Sequence, residues 1–550
     1  MDQSLTAVSR RDLLKLAGVA AAAGAAGGSI DLLRPGPADA QTPKRGGVFR
    51  FPGFDPPHFD PHQTPHWWTP IFLSLTHGGL VRHKAGPSVV PGTLPIEPHL
   101  AESWEQPTDT TYIFRLRKGV RWHAKPPVNG RELTADDVVF TFQRALTIKG
   151  NPNRAVFEEI DRVDALDRYT VRFTMNQPFA WFLHSPALAP ILPKEAADKE
   201  GMFKKPETVI GTGPWMLEHY EPNVRLTFVR NPHYFQPGLP YVDAVEARID
   251  TDPASKLAAW LSGQYDFAPE IHMTVQRTDL DVVKRQKPNL QTTEFTWLIS
   301  TFAAPRLDVP PFSDVRVRRA LHMAVNGAEV IAVNPFGHGQ GASNPIVPAA
   351  LREWAIPIDQ LPPEGRQLYE GNPAEAKRLL AQAGQGGLKF PVESTGSWGP
   401  AFSDVVQVIV SEWKKAGVEA DLKLKEGNAF IASIMARSFE KMIITLRGGA
   451  TTPDPYLVNL LPGRALNFAG VNDPKLNDLI QLQRRTFDES KRREIIFDIQ
   501  RHFSQQAYHL FVSPAAKVVA AWEPYVKNFM PNIGNDYGGR LMSAWLDRSI

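Results

Sequence analysis

Between Tyr112 and Leu146 the spacing of apolar positions changes from two to nearly four. Tyr112, Phe114 and Leu116 alternate with Ile113, Arg115 and Arg117, the period of a half-buried strand. Lys118-Gly119 turns the chain, and Val120 and Trp122 resume the alternation, which predicts a hairpin. Thr134 then precedes Ala135-Asp136-Asp137, a hydroxyl cap followed by carboxylates at the positive end of a helix dipole. Val138, Val139, Phe142, Ala145 and Leu146 fall on one face of the helix so begun.

The same reading extends along the chain. Lys44–Phe51 predicts a first strand, and strands Trp215–Tyr220 and Arg225–Arg230 flank a turn at Glu221-Pro222-Asn223. Val242–Ile249 predicts another strand, and Thr292–Thr301 a long extended segment. Asp252-Pro253 opens a helix with its apolar face at Leu257, Ala258, Trp260 and Leu261, and Gly263 ends it. Asn372-Pro373 to Ala383 with Gly384 is punctuated in the same way. Phe402–Ala416 reads as a helix stopped by Gly417, followed by a strand through Val418, Ala420 and Leu422. Lys441–Leu446 predicts a buried strand, Ser490–Gln505 the last long helix, and Tyr508–Ser513 a strand. Strands and helices in alternation predict α/β architecture.

Composition narrows the class. A chain of 550 residues exceeds one ordinary core, and its 43% hydrophobic and 22% charged content is that of a globular protein. The net charge of +3, from 61 basic and 58 acidic residues, leaves no footprint for nucleic acid. Cysteine is absent, which excludes disulfides, zinc–thiolate sites, thiol catalysis and acylation on cysteine. Ser9-Arg10-Arg11-Asp12-Leu13-Leu14-Lys15 reads as a twin-arginine export motif. The Ala- and Gly-rich run Leu16–Ile30 is shorter than the ~20 residues of a membrane span, and Ala38-Asp39-Ala40 is a small-x-small cleavage site. Residues 1–40 are therefore expected to be a signal peptide, with the exported chain starting near Gln41 and lying free in a periplasm.

Several blocks, in order, carry a family resemblance. They are Leu100-Ala101-Glu102-Ser103-Trp104, Lys118-Gly119-Val120, Leu133-Thr134-Ala135-Asp136-Asp137-Val138, Ile210-Gly211-Thr212-Gly213-Pro214-Trp215, Asn231-Pro232-His233-Tyr234 and Phe312-Ser313-Asp314-Val315-Arg316-Val317-Arg318-Arg319-Ala320-Leu321. This succession resembles the family 5 extracellular solute-binding proteins, the peptide- and nickel-binding components of ABC importers. The resemblance implies an α/β fold of two lobes that close like a flytrap, joined by two hinge segments, with an extra subdomain in the first. On that pattern lobe I takes 41–80, 207–296 and 516–550, the subdomain 81–206, and lobe II 297–515. It also implies a periplasmic, monomeric receptor, without catalysis or cofactor, that delivers a small solute to an inner-membrane permease. The solute classes it leaves open are peptides, modified peptides, opine-like conjugates and saccharides. A secreted hydrolase reusing the scaffold, and a sensor or chaperone not coupled to transport, are the competing functions.

Candidate chemistry is sparse. There is no G-x-S-x-G elbow, H-E-x-x-H or P-loop. Gly211-Thr212-Gly213 lacks the lysine and helix of a phosphate loop, and Gly337-His338-Gly339-Gln340-Gly341 follows a helix rather than the strand a dinucleotide loop requires. His58, His62 and His66 are four apart, but Pro61 and Pro65 forbid a regular helix between them, so they read as polar loop residues rather than metal ligands. Trp67-Trp68 in a Pro-rich loop reads equally as a pocket wall or as packing. The family pattern puts Trp297 near the cleft, and Trp398 is another candidate wall. Arg447, with a planar fork suited to a carboxylate, reads as a ligand anchor or as one arm of a salt bridge. In the segment Arg447–Pro455, which resembles the family loop ending in Asp454-Pro455, peptide-binding relatives often carry an aspartate that pairs with a free amine. Here that place is held by Thr451, which cannot form such a pair. Asn467 lies where the family has a cleft-facing asparagine.

Overall fold

The computed structural model describes residues 42–269, 277–333, 346–513 and 517–548. The signal segment and Gly337–Ala342 lie outside them.

Four larger sheets organise the described chain. In the first, strand Val48–Gly53 runs parallel to Ala244–Ile249, which continues antiparallel through Arg225–Arg230 to Trp215–Glu221. Phe49 and Phe51 point inward with no exposed surface, which fixes the register. The second sheet, Ala101–Thr108, Thr111–Leu116, Thr170–Met175 and Ile160–Asp167, is antiparallel throughout. The predicted strand at Tyr112 is thus present, but it is central and pairs with Ala101–Thr108 and Thr170–Met175. No hairpin joins it to Val120 and Trp122; that segment makes only a bridge from Arg121 to Glu132. A local turn was legible in Lys118-Gly119, whereas the choice of partner rested on a strand some sixty residues away, beyond the reach of periodicity.

The third sheet joins Phe267–Ala268, Lys517–Trp522 and Gln291–Thr296, and the fourth orders Ser300–Pro305, Met442–Arg447, Lys389–Thr395 and Glu419–Lys425. The segment Thr292–Thr301 is therefore two strands in two sheets. Thr296 pairs with Lys517 in one and Ser300 with Arg447 in the other, and Trp297–Ile299 crosses between them. Tyr508–Ser513 is not a strand; it makes one bridge, Leu510 to Ala303, before the chain re-enters the third sheet at Lys517. Helices Val315–Met323, Pro373–Gln382 and Pro400–Lys415 cover the fourth sheet with a core that includes Leu321, Leu380, Val406 and Trp413.

The punctuated helices form where the caps put them. Asp252, Asp314 and Asn372 accept from the backbone N–H groups of Ser255, Arg316 and Glu375 at 2.7, 2.8 and 3.0 Å. The helix Ala135–Thr147 starts after Thr134, whose N–H donates to the Asp137 carboxylate at 3.0 Å.

The Gly211-Thr212-Gly213 segment is explained by close approach rather than by turning. A Cβ on Gly211 would stand 1.8 Å from the Thr76 carbonyl oxygen, and one on Gly213 2.7 Å from that of Leu75. His123 ties the segment down. Its Nδ1 accepts from the Gly211 N–H at 3.1 Å, so its Nε2–H donates to the Gly213 carbonyl at 3.3 Å. The helix Trp68–Thr76, with Ile71, Phe72 and Leu75 buried, is thereby held against the first sheet.

Candidate ligand-binding site

A cavity of about 510 Å³ opens beside that helix, within the range of roughly 300–1,000 Å³ of small-molecule sites. Its walls come from distant parts of the chain: Pro61–Trp67, the Leu73–Gly79 end of the helix, Asn153–Phe157, His184–Pro190, the loop Gly448–Pro455, and Asn535–Met542. Trp67 packs on Trp297 with ring centroids 6.1 Å apart, and Gly449 lies so close that a Cβ there would be 2.3 Å from the Trp67 ring. Gly449 has φ +100°, so glycine is required twice over, for conformation and for space.

Of the candidate ligand-binding residues named from the sequence, Trp67 and Thr451 line this cavity, and so does His62, which reads there as a polar loop residue. Trp297 lies one ring behind, 7% exposed, supporting Trp67. Trp68 turns away to pack on Phe54 and Phe72 at 5.8 and 5.3 Å. Trp398 packs on Phe402 and Phe430 and is not part of the lining. Asp454 is buried behind the loop, accepting from Gln483 at 2.8 Å and facing Arg484 at 3.1 Å; burial outweighs both and raises its pKa. Asn467 spends its amide within its own loop, donating to Val471 and Leu460 at 2.8 and 3.1 Å and accepting from the Val471 N–H at 2.8 Å. Arg447 makes no salt bridge among the described residues. It donates to the Tyr456 carbonyl and lies over that ring, while its Nη1 is buried without a partner. Burial lowers its pKa to about 10.

The sequence reading missed the polar character of the cavity wall. Five lining residues are histidines: His62, His77, His83, His99 and His184. Burial lowers His77 and His99 to about 3, so both are neutral at pH 7. His62 Nε2, His77 Nε2 and His99 Nδ1 are buried without hydrogen-bond partners among the described residues. Among the described lining residues Asp536 is the sole carboxylate and Arg82 the sole guanidinium or ammonium. Arg82 is paired with Glu97 at 2.7 Å, whereas among the described residues the Asp536 side chain accepts only from the Gly539 N–H at 2.7 Å; burial raises its pKa. These residues lie scattered from 62 to 536, and nothing in their local sequence marks them as one wall. Among the described residues no cluster of histidine and carboxylate side chains has the arrangement of a metal site, and no helix is long and apolar enough to cross a membrane.

The profile of the Bacterial extracellular solute-binding proteins, family 5 Middle, matches residues 95–467, and the chain belongs to that family. It is a substrate-binding component of the ABC-importer type, which captures a small organic solute. Among its relatives, Di/tripeptide-binding protein 1 of Pseudomonas aeruginosa is 29% identical over 77% of this chain and 80% of its own length. The Dipeptide-binding protein of Escherichia coli is 29% identical over 80% of this chain and 86% of its own. Heme-binding protein A of Haemophilus influenzae is 29% identical over 71% and 73%. The two-lobed fold is that of the periplasmic binding protein DppA from Helicobacter pylori in complex with peptide STSA. That structure has a TM-score of 0.74 at 23% identity, covering 92% of this chain and 99% of that one. The agropinic acid complex of AgaA from A. tumefaciens R10 has a TM-score of 0.73 at 22% identity, covering 91% and 99%.

Proposed function

We propose that the protein is a periplasmic, monomeric receptor that closes around a peptide-like solute and presents it to an inner-membrane ABC permease, acting by binding alone. The observation that carries the reading is the cavity of about 510 Å³, walled by neutral imidazoles, Trp67 and, among the described residues, a single carboxylate that makes no salt bridge. Relatives named for di- and tripeptides support the solute class. The lobes are 41–80, 207–296 and 516–550 with the subdomain 81–206, against 297–515. Trp297–Ile299 serves as one hinge between them. Closure sets Gly448–Thr452 against Trp67 and encloses the solute in the cavity that they border. A solute drives that closure only by its differential affinity for the closed form.

Thr451 removes the ion pair expected for a free amine, and Asp536 is the carboxylate available to replace it. Arg447, if it turns from Tyr456, offers Nη1 to a solute carboxylate.

Native mass spectrometry of protein purified from a periplasm, followed by identification of the released compound, tests the reading. A peptide or acylated peptide recovered intact is the expected result. A saccharide, a porphyrin or a compound turned over during incubation overturns it. A peptide present at ~100 times its dissociation constant should then add roughly 2.7 kcal/mol of stability in a thermal-shift assay.

A further inference from the structure

Asp60 has no exposed surface, and Arg144 forks onto it, Nη1 to Oδ1 at 3.0 Å and Nη2 to Oδ2 at 2.5 Å. The Phe203 N–H adds a third bond at 3.0 Å. Burial opposes the charge on Asp60, but these donors hold its pKa below the usual carboxylate value. The same Arg144 Nη1 lies 2.8 Å from Nδ1 of His62. A guanidinium has hydrogens to give and no lone pair to receive one, so Nδ1 of His62 must be the acceptor. The proton of the neutral ring is then on Nε2. Burial and the neighbouring Arg144 charge lower the pKa of His62 to about 4, so the ring stays neutral at pH 7.

That Nε2–H is buried and has no partner among the described residues. His62 is 1% exposed, its ring edge rests on Phe157 at 5.8 Å, and both residues line the cavity. His77 and His99 also carry orphaned nitrogens, but their tautomers are not fixed in this way. His77 Nδ1 meets the Thr76 hydroxyl at 2.8 Å, which can give or receive. A buried donor without an acceptor costs stability, and the cost is recovered when an acceptor arrives.

We propose that His62 is a solute-contacting residue whose Nε2–H donates to a carbonyl or carboxylate oxygen of the bound molecule, and that the Asp60–Arg144 pair fixes it as a donor. This rests on the reading of the cavity as the solute site. It adds a chemical demand on the solute: an acceptor oxygen facing the Pro61–Trp67 wall.

The test uses two substitutions that separate the two ring nitrogens. His62→Asn keeps an acceptor near the place of Nδ1 for Arg144 but has nothing at Nε2. His62→Gln carries an amide donor out to the reach of Nε2. The protein labelled with ¹⁵N-histidine is examined first without solute, the His62 signals being assigned by their loss in His62→Asn. An Nε2–H tautomer is expected; an Nδ1–H tautomer or an imidazolium at pH 7 overturns the proposal.

Trialanine and, separately, N-methylacetamide are then titrated. The expected result with trialanine is a downfield move of the His62 Hε2 resonance, a tenfold or greater loss of affinity in His62→Asn, and a loss below threefold in His62→Gln. Equal affinity of wild type and His62→Asn overturns the proposal. If trialanine does not bind at all, the reading of the solute as a free-amine peptide fails, and N-methylacetamide decides His62 by itself. A concentration-dependent shift of Hε2 supports the donor role, and an unmoved Hε2 overturns it.

Discussion

Asp60 shows what a single buried charge demands of its surroundings. It is ionised in the interior because Arg144 takes both oxygens and the Phe203 N–H a further lone pair. Replacing Asp60 by Asn leaves the guanidinium buried, 6% exposed, without its counter-charge. Such a break costs about 3–5 kcal/mol. Urea unfolding of Asp60→Asn at pH 7 is expected to show a lowered midpoint with an unchanged slope, and a midpoint within error of wild type would refute the account. At Thr451 the effect falls on the solute instead. The residue lines the cavity on the loop that faces Trp67, so Thr451→Asp supplies the carboxylate that the family pattern carries there. A charged hydrogen bond of about 1.5–3 kcal/mol corresponds to a tenfold or larger gain in affinity. Calorimetry should find that gain for trialanine and none for its N-acetylated form. Equal gains for both would mean that the amine points elsewhere.

At the scale of elements, the helix Trp68–Thr76 is the piece on which the others converge. Its C-terminal end receives the backbones of Gly211 and Gly213, and of Gly538, where a Cβ would stand 1.9 Å from the Ser74 carbonyl oxygen. The flanking Trp67 receives Gly449. Gly449→Ala puts a methyl group into the Trp67 ring and forces a left-handed conformation on alanine. The loop Gly448–Thr452 must then stand off from Trp67. The expected outcome is a tenfold or greater fall in solute affinity, with the solute-free protein losing only about 1 kcal/mol from the backbone strain, because the loop lies outside the sheets. A loss of several kcal/mol in the solute-free protein would place Gly449 in the fold rather than in closure.

These glycines also mark the limit of the sequence reading. Caps such as Asp252-Pro253 and Asn372-Pro373 were legible because their partners lie three residues on. The role of Gly211 was not, because the carbonyl it approaches is at Thr76. Strand Thr111–Leu116 was found by its period, yet its neighbours were assigned wrongly for the same reason. In the cavity, Trp67 and Thr451 were visible as unusual residues in a loop or against a family pattern. His77, His99 and Asp536 were not, since each is ordinary locally and becomes a wall residue only through long-range packing.

For the whole molecule, those histidines set the response to acid. His77, His99 and His123 are lowered by burial to about 3, and His62 and His322 to about 4. The unfolded chain protonates them near 6.5. Between 6.5 and the folded values the unfolded state therefore binds more protons, and stability falls as pH falls. Each group contributes up to about 1.4 kcal/mol per pH unit in that window. The stabilisation is complete above pH 6.5 and is lost on the way down to about pH 4 for His62 and His322 and about 3 for His77, His99 and His123. Asp266, Asp454 and Asp536 act in the opposite sense, because burial raises their pKa values and their protonation eases the folded state as pH falls. Their window runs from the ordinary carboxylate value up to their raised ones, and the five histidines outnumber the three carboxylates, so the histidine effect leads from pH 6.5 to 5. His123 makes the structural reason explicit: protonation of Nδ1 breaks the bond from the Gly211 N–H and loosens the segment against Thr76. Urea unfolding at pH 7.5, 6.5, 5.5 and 5 should give a plateau above 6.5 and a midpoint that drops steadily below it. A midpoint that is flat or rises between pH 6.5 and 5 would mean that these imidazoles are not held neutral in the fold.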